Sequence, residues 1–185
     1  MPSLRRLLLP LLALLSSLAG GSEPRIGAVP NLQALARQAG YIFSGTVASV
    51  ERELPANSGG LAVMRVTFRV DQPVRGVRAH QLLAVREWAG LWEAGDRYQV
   101  GERMLVFFYP PSKLGLTSPV AGSFGRFNIQ SNGDLLLPAA RRAALVGDPA
   151  WSDVMEAAPA RTPLDSKERL SSSRLARAVR RAAEE

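Results

Sequence analysis

Between Ala62 and Asp71 apolar and polar positions alternate. Ala62, Met64, Val66, Phe68 and Val70 fall on one side of an extended chain. Val63, Arg65, Thr67, Arg69 and Asp71 fall on the other, with Val63 the single break in the polar set. A period of two predicts a half-buried β-strand, closed here by Pro73 and Gly76. The preceding segment, Tyr41 to Val50, is rich in aromatic and β-branched residues and predicts a strand that Gly45 bends or bulges. Gln81 to Trp88 reads as a third strand. Met104 to Tyr109 is an unbroken apolar run, which predicts a strand covered on both faces and stopped by Pro110-Pro111. Gly125 to Ser131 and Asp134 to Leu137 flank Asn132-Gly133. That pair predicts a hairpin with both turn residues at positive φ.

Helical spacing brackets the strands. Leu32, Leu35, Ala36 and Ala39 follow Asn31 as a helix cap, with Gly40 placed as a left-handed stop. After Pro138, Ala139 to Val146 and Pro149 to Ala158 read as short helices. Thr162 as cap, Pro163 at the first position and Asp165 three residues after the cap predict a last helix. The expected class is mainly β with flanking helices (α+β): a five-stranded OB-type β-barrel, a short N-terminal helix and a C-terminal helical tail.

The first residues have a different pattern. Arg5 and Arg6 precede the apolar run Leu7 to Leu15, and Ser17-Leu18-Ala19 then offers small residues for a cut after Ala19. This order predicts a secretory signal peptide. A helix of this run would span roughly 14 Å, about half a bilayer core, too short for an ordinary anchor. The predicted organisation is a signal peptide over 1–19, a barrel domain with its lead-in and short helix over 20–138, and a helical extension over 139–185. The mature chain is expected to be periplasmic or secreted, with no transmembrane segment.

Composition narrows the chemistry. The 185 residues contain no cysteine, which excludes disulfides, thiolate metal sites and a cysteine nucleophile. The one histidine, His80, excludes a multi-histidine metal site within one chain and reads as an exposed loop residue. The formal charge is +7, and all but two of the 23 basic residues are arginine. They are spread along the chain with no dense block outside the last helix, so charge alone does not designate a nucleic-acid binder.

Several segments in order carry a resemblance. Ala39 to Val47 (AGYIFSGTV), Val66 to Val70 (VTFRV) with Val74-Arg75-Gly76, Val100 to Phe107 (VGERMLVF) and Gly115 to Ser118 (GLTS) resemble the netrin-like OB-fold family over roughly residues 31–130. That family contains the tissue inhibitors of metalloproteinases and many secreted bacterial proteins. The resemblance implies an OB-type barrel that works by binding. The inhibitors chelate their target's zinc through an N-terminal cysteine, which this chain lacks, so that activity does not carry over.

Trp88, Trp92 and Tyr98 share the segment Glu87 to Gly101. Aromatics in barrel loops can stack on a sugar, a base or a peptide. The plainer reading is a cluster packed over the barrel end. Of the tryptophans, Trp92 is expected to be exposed and Trp88, continuing the third strand, to be core. Tyr109 to Pro119, with Tyr109 and Lys113, is a rigid proline-bounded loop, either a contact surface or a crossing of one barrel end. Glu87, Glu93 and Asp96 lie beside the aromatics and would serve a hydrolase if two of them converged. Arg65 and Arg69 would serve an oligonucleotide- or oligosaccharide-binding barrel if exposed aromatics stood beside them. Arg174, Arg177 and Arg181 share one face of the last helix, which is expected to be a solvated, weakly docked tail.

The reading is an exported, non-enzymatic binding protein without metal or cofactor. Its partner would be a protein or glycan of the cell envelope, and export argues against nucleic acid. Replacing Leu8, Leu11 and Leu12 with aspartate is expected to leave unprocessed protein inside the cell, as read by mass spectrometry of cell fractions. Normal processing of that variant would remove the signal-peptide reading.

Overall fold

The computed structural model describes residues 30–54, 60–93, 97–156 and 170–184. The proposed signal peptide, most of the loop before the alternating strand, and Thr162 and Pro163 lie outside them. The chain order is α1 (Leu32–Gln38), β1 (Tyr41–Glu53), β2 (Val63–Arg75), β3 (Leu82–Trp88), α2 (Ala89–Glu93), β4 (Arg103–Phe108), β5 (Arg126–Ile129), β6 (Leu135–Leu136), α3 (Ala139–Val146), α4 (Pro149–Glu156) and α5 (Ser172–Glu184). The strands form one antiparallel sheet of six in the order β3-β2-β1-β4-β5-β6. The fold is therefore α+β with an open sheet. The expected hairpin supplies the sixth strand, with Leu135 and Leu136 paired to Ile129 and Asn128, so the expected five-stranded barrel is corrected to a sheet of six.

β1 lies at the centre, with β2 on one side and β4 on the other. Its register with β2 shifts three times, between Ile42 and Phe43, Ser44 and Gly45, and Val47 and Ser49. Bulges bend a strand and increase its twist. Gly45 is required at the middle shift, since a Cβ there would stand 2.6 Å from the Arg69 carbonyl oxygen. β2 does not stop at Pro73. That residue pairs with Phe43 beside a register shift, where the ladder tolerates a missing donor.

The sheet buries both faces. On one, Phe43 and Val47 of β1, Val66, Phe68 and Val70 of β2, and Met104, Val106 and Phe108 of β4 form an aromatic-rich cluster. The Phe68 ring meets Phe43 edge-on at 5.4 Å and Phe108 at 5.8 Å, so β2 and β4 touch across the bent central strand. On the other, Ile42, Leu105, Phe107, Phe127 and Ile129 pack with the helices. The unbroken apolar run of β4 is thus explained: Met104 to Phe108 are all fully buried, alternately on the two faces.

Two charged groups, the buried Asp148 and the half-buried Arg75, tie the helices down. Asp148 accepts from the Leu32 N–H at 2.7 Å and from the Ala150 N–H at 3.0 Å, capping α1 and α4 together. Arg75, at the end of β2, donates to the Ala36 carbonyl and, at 3.2 Å, to the Ala183 carbonyl, holding the last turns of α1 and α5. α5 is no weakly docked tail. Leu175, Ala176, Ala178, Val179 and Ala182 are buried, because small side chains let its backbone approach α1 and α4 closely.

Two turn expectations are corrected as well. Gly40 does not take positive φ; α1 ends at an extended Ala39, and a Cβ on Gly40 would press on Pro110 at 2.8 Å. In the β5–β6 hairpin only Gly133 has positive φ. Its N–H bonds the Gln130 carbonyl, and Gln130 N–H bonds the Asp134 carbonyl, as in a turn followed by a left-handed bulge residue.

The alternation in β2 generates a stability contrast. Phe68→Ala is expected to cost about 3–5 kcal/mol. Arg69→Ala, an exposed residue 3.8 Å from Asp71, is expected to cost about 0.5 kcal/mol or less. Denaturant midpoints of the two variants check this, and equal shifts would contradict the register.

Candidate functional site

β3 presents Val85 and Glu87 to the aromatic face and Leu82, Ala84, Arg86 and Trp88 to the outside. Trp88 stands opposite Val63, Arg86 opposite Arg65, and Ala84 opposite Thr67, so these residues share one outer surface.

The tryptophan assignment inverts the expectation. Trp88 is 48% exposed, whereas Trp92 is 8% exposed. The reason is α2, which turns the chain directly after β3 and folds Trp92 back under the sheet. Its indole N–H then donates to Glu87 Oε2 at 2.9 Å. Tyr98 is also buried. Its hydroxyl donates to Glu87 Oε1 at 2.9 Å, and its ring meets Phe68 edge-on and Trp92 at a tilt, with centres 5.5 Å apart in each pair. The Arg126 guanidinium of β5 lies 4.3 Å from the centre of the Tyr98 ring. Glu87, Trp92, Tyr98 and Arg126 thus connect the β3 side of the sheet to the β5 side. Burial pushes the Glu87 carboxyl above its ordinary range; donation from Trp92 and Tyr98 and the charge of Arg126 oppose that push without cancelling it.

Trp88 lies over the turn into α2. A Cβ at Gly90 would run into the Trp88 ring, so Gly90 leaves the space the indole occupies. The Ala89 N–H bonds the Ala62 carbonyl at 2.9 Å, joining the start of α2 to the start of β2. Leu54, Leu61 and Leu91, all exposed, stand at this same end of the sheet. Beside them Glu53 accepts from Arg65 and, at 3.1 Å, from Arg86. Partial burial works to raise the Glu53 carboxyl, but the two guanidiniums outweigh it and hold the group below the usual range. Asp71 pairs with Arg69 at 3.8 Å and Arg103 at 3.9 Å. The Arg65 and Arg69 proposed for polyanion contact are therefore already matched by carboxylates.

The loop after β4 crosses to β3. Thr117 N–H bonds the Arg86 carbonyl at 2.8 Å, and Tyr109 N–H bonds the Ser118 carbonyl at 3.0 Å. Of its two singled-out residues, Lys113 is exposed and Tyr109 packs against the helical side of the core. His80 is exposed in the β2–β3 turn with φ of 62°.

Asp96 and the Glu93 side chain lie outside the described residues, so the convergence a hydrolase needs concerns Glu87 alone. The polar atoms on its carboxylate are those of Trp92 and Tyr98. A cavity of about 480 Å³ is lined by Ser123, Arg126, Asn128, Leu136, Pro138 and Arg141, and one of about 260 Å³ lies between α1, α3 and Phe124. Glu87 lines neither. Among the described residues no three of His, Asp and Glu gather as metal ligands, and no helix is long and apolar enough to cross a membrane.

Compared with known proteins, the chain matches no family model, no curated sequence and no solved structure.

The buried carboxylate generates a pH dependence. A folded-state value above the unfolded one means that the folded chain holds the proton more strongly. The stability this lends is complete below the ordinary glutamate range and is lost as pH rises through the folded-state value. Glu87→Gln, which keeps an acceptor and carries no charge, is expected to be at least as stable as the parent at neutral pH. The difference closes on acidification through the ordinary glutamate range. Glu87→Leu strands two buried donors, at about 1–3 kcal/mol each. Thermal melts across pH check both; a Gln variant with an unchanged pH profile would remove the role of Glu87 ionisation.

Proposed function

We propose that this chain is an exported binding protein, not an enzyme, and that its binding surface is the outer side of β2 and β3 around Trp88. The observation that carries the reading is Trp88 itself, half exposed on a rigid strand with Leu54, Leu61 and Leu91 exposed at the same end. Tryptophan gives a large contact area at small entropic cost and often dominates an interface. The surface favours a partner of low charge, a protein or a glycan of the cell envelope, because its arginines are matched by Glu53 and Asp71. A polyanion would have to displace those pairs.

The finer architecture belongs to the same proposal. The sheet has β3 at one edge and β5 next to β6 at the other, and the Glu87–Tyr98–Arg126 contacts draw those sides together. This supports an OB-type barrel of the netrin-like sort, joined between β3 and β5 by side chains. The hydrolase alternative would need Glu93 or Asp96 to join Glu87.

The test uses the chain from Gly20 as bait on an envelope fraction, with mass spectrometry of what is retained. Trp88→Ala is expected to lower retention of the identified partner at least about tenfold, with unchanged circular dichroism. Trp92→Ala should instead destabilise the fold by about 3–5 kcal/mol. Full retention by a folded Trp88→Ala protein would overturn the site.

A further inference from the structure

The two edges of the sheet end differently. At β6 the chain itself covers the edge: the Leu135 N–H bonds the Leu170 carbonyl at 2.7 Å, and the Ser172 N–H bonds the Gly133 carbonyl at 2.9 Å. At β3 the cover is partial. The ladder with β2 keeps one register from the Ala89–Ala62 bond to the Val70–Gln81 bond. The odd-numbered residues of β3 therefore bond to β2, and the even-numbered ones point their N–H and carbonyl groups outward. Of these, the Arg86 carbonyl takes the Thr117 N–H at 2.8 Å. Among the described residues, the N–H and carbonyl groups of Leu82 and Ala84 have no hydrogen bond. Both residues are exposed, Leu82 by 68%. The run from Gln81 to Val85 has neither charge nor proline, the usual guards of a sheet edge. The opening is stopped at both ends. Thr117 stands where the next strand would run beside Arg86. At the other end His80 and Gln81 both face Val70, the His80 N–H on its carbonyl at 2.8 Å and the Gln81 carbonyl on its N–H at 3.0 Å. This is a bulge, with His80 at φ of 62°, where the chain arrives from β2.

We propose that the β3 edges of two copies of this chain pair antiparallel about a two-fold axis at Leu83, joining their sheets into one. In that register Leu82 exchanges both main-chain bonds with Ala84 of the second copy, and Ala84 does so with its Leu82, so every open group is satisfied. The neighbouring registers satisfy fewer. Centred on Leu82, the pairing sets Ala84 against the bulged His80. Centred on Ala84, it sets Leu82 against Arg86, whose carbonyl is already taken. The two stops also fit each other. Arg86, where Thr117 bars the way, stands opposite His80 of the second copy, and there the second strand has not yet begun. A foreign strand running on past Ala84 would meet Thr117. On the outer face the exposed Leu82 comes to lie beside Ala84 of the second copy, and no charge is brought against another within the run. The axis lies roughly 17 Å along the strand from Trp88 and does not rest on the reading of that residue.

A chain without cysteine makes the axis directly testable. Residues facing each other at a non-hydrogen-bonded antiparallel position have Cα atoms about 4.5 Å apart, within reach of a disulfide. Leu83→Cys in the full chain is therefore expected to oxidise to a covalent dimer, read by non-reducing electrophoresis. Ser131→Cys, exposed in the hairpin at the opposite edge, is expected to cross-link at least about tenfold more slowly. Ala84→Pro removes an outward N–H from each copy at an edge position that admits proline. Added to Leu83→Cys, it should slow cross-linking about 25-fold, with unchanged circular dichroism. Leu82→Lys, at an exposed site, serves the same comparison where the proline variant does not fold. Equal cross-linking of Leu83→Cys and Ser131→Cys would overturn the proposal. So would a folded Ala84→Pro or Leu82→Lys protein that cross-links at the parent rate. In an envelope fraction, a mixed disulfide of Leu83→Cys with another protein in place of the dimer would assign the edge to a foreign strand and overturn the second copy.

Discussion

The fold depends on the close passage of β1 under β2 at Gly45. No side chain fits between that residue and the Arg69 carbonyl, and the register slips on either side of it. A straight central strand would leave Phe43, Phe68 and Phe108 in a row on an open surface. Bent, it brings the rings within 5.4–6.3 Å of one another, so that β1, β2 and β4 bury their aromatic residues together on that face. The opposite face is left free for helices, so a chain of modest length builds two cores and needs no disulfide.

The alternation of β3 determines which side chains meet the core. It places Glu87 inside and Trp88 outside, next to each other in sequence and opposite in environment. A buried carboxylate held by two neutral donors orders the β3 end of the sheet, and the neighbouring indole is offered to solvent on a strand that cannot move independently. An adaptable loop would lose entropy on binding, whereas this surface has already lost it.

Strand positions were readable where one face is wet, as in β2, and where both are covered, as in β4, because burial imposes the pattern directly. The bulge at Gly45 was readable because glycine inside a strand has few other causes. The tryptophans were not. Which of Trp88 and Trp92 faces water is decided by the short helix α2, whose length gives no periodicity, and by a hydrogen bond to Glu87 from five residues on. The docking of α5 was missed for a different reason. Its buried side is mostly alanine, which looks weak when apolar size is weighed but suits helices that approach closely. The Asp148 cap and the Arg75 clasp were beyond reach, since each joins elements far apart in the chain, and no local spacing marks such a pair.

That long reach bears on when the molecule can fold. Asp148 holds the first helix from a position 116 residues later, and Arg75 grips a carbonyl 108 residues downstream. The helical core therefore closes only after α5 has been synthesised. Contacts so distant in sequence slow folding, because loop-closure entropy is lost before any contact compensates it. During synthesis the strands lack the layer that covers their second face until α5 arrives. Late closure of that face is a property of the topology itself, independent of any holding factor.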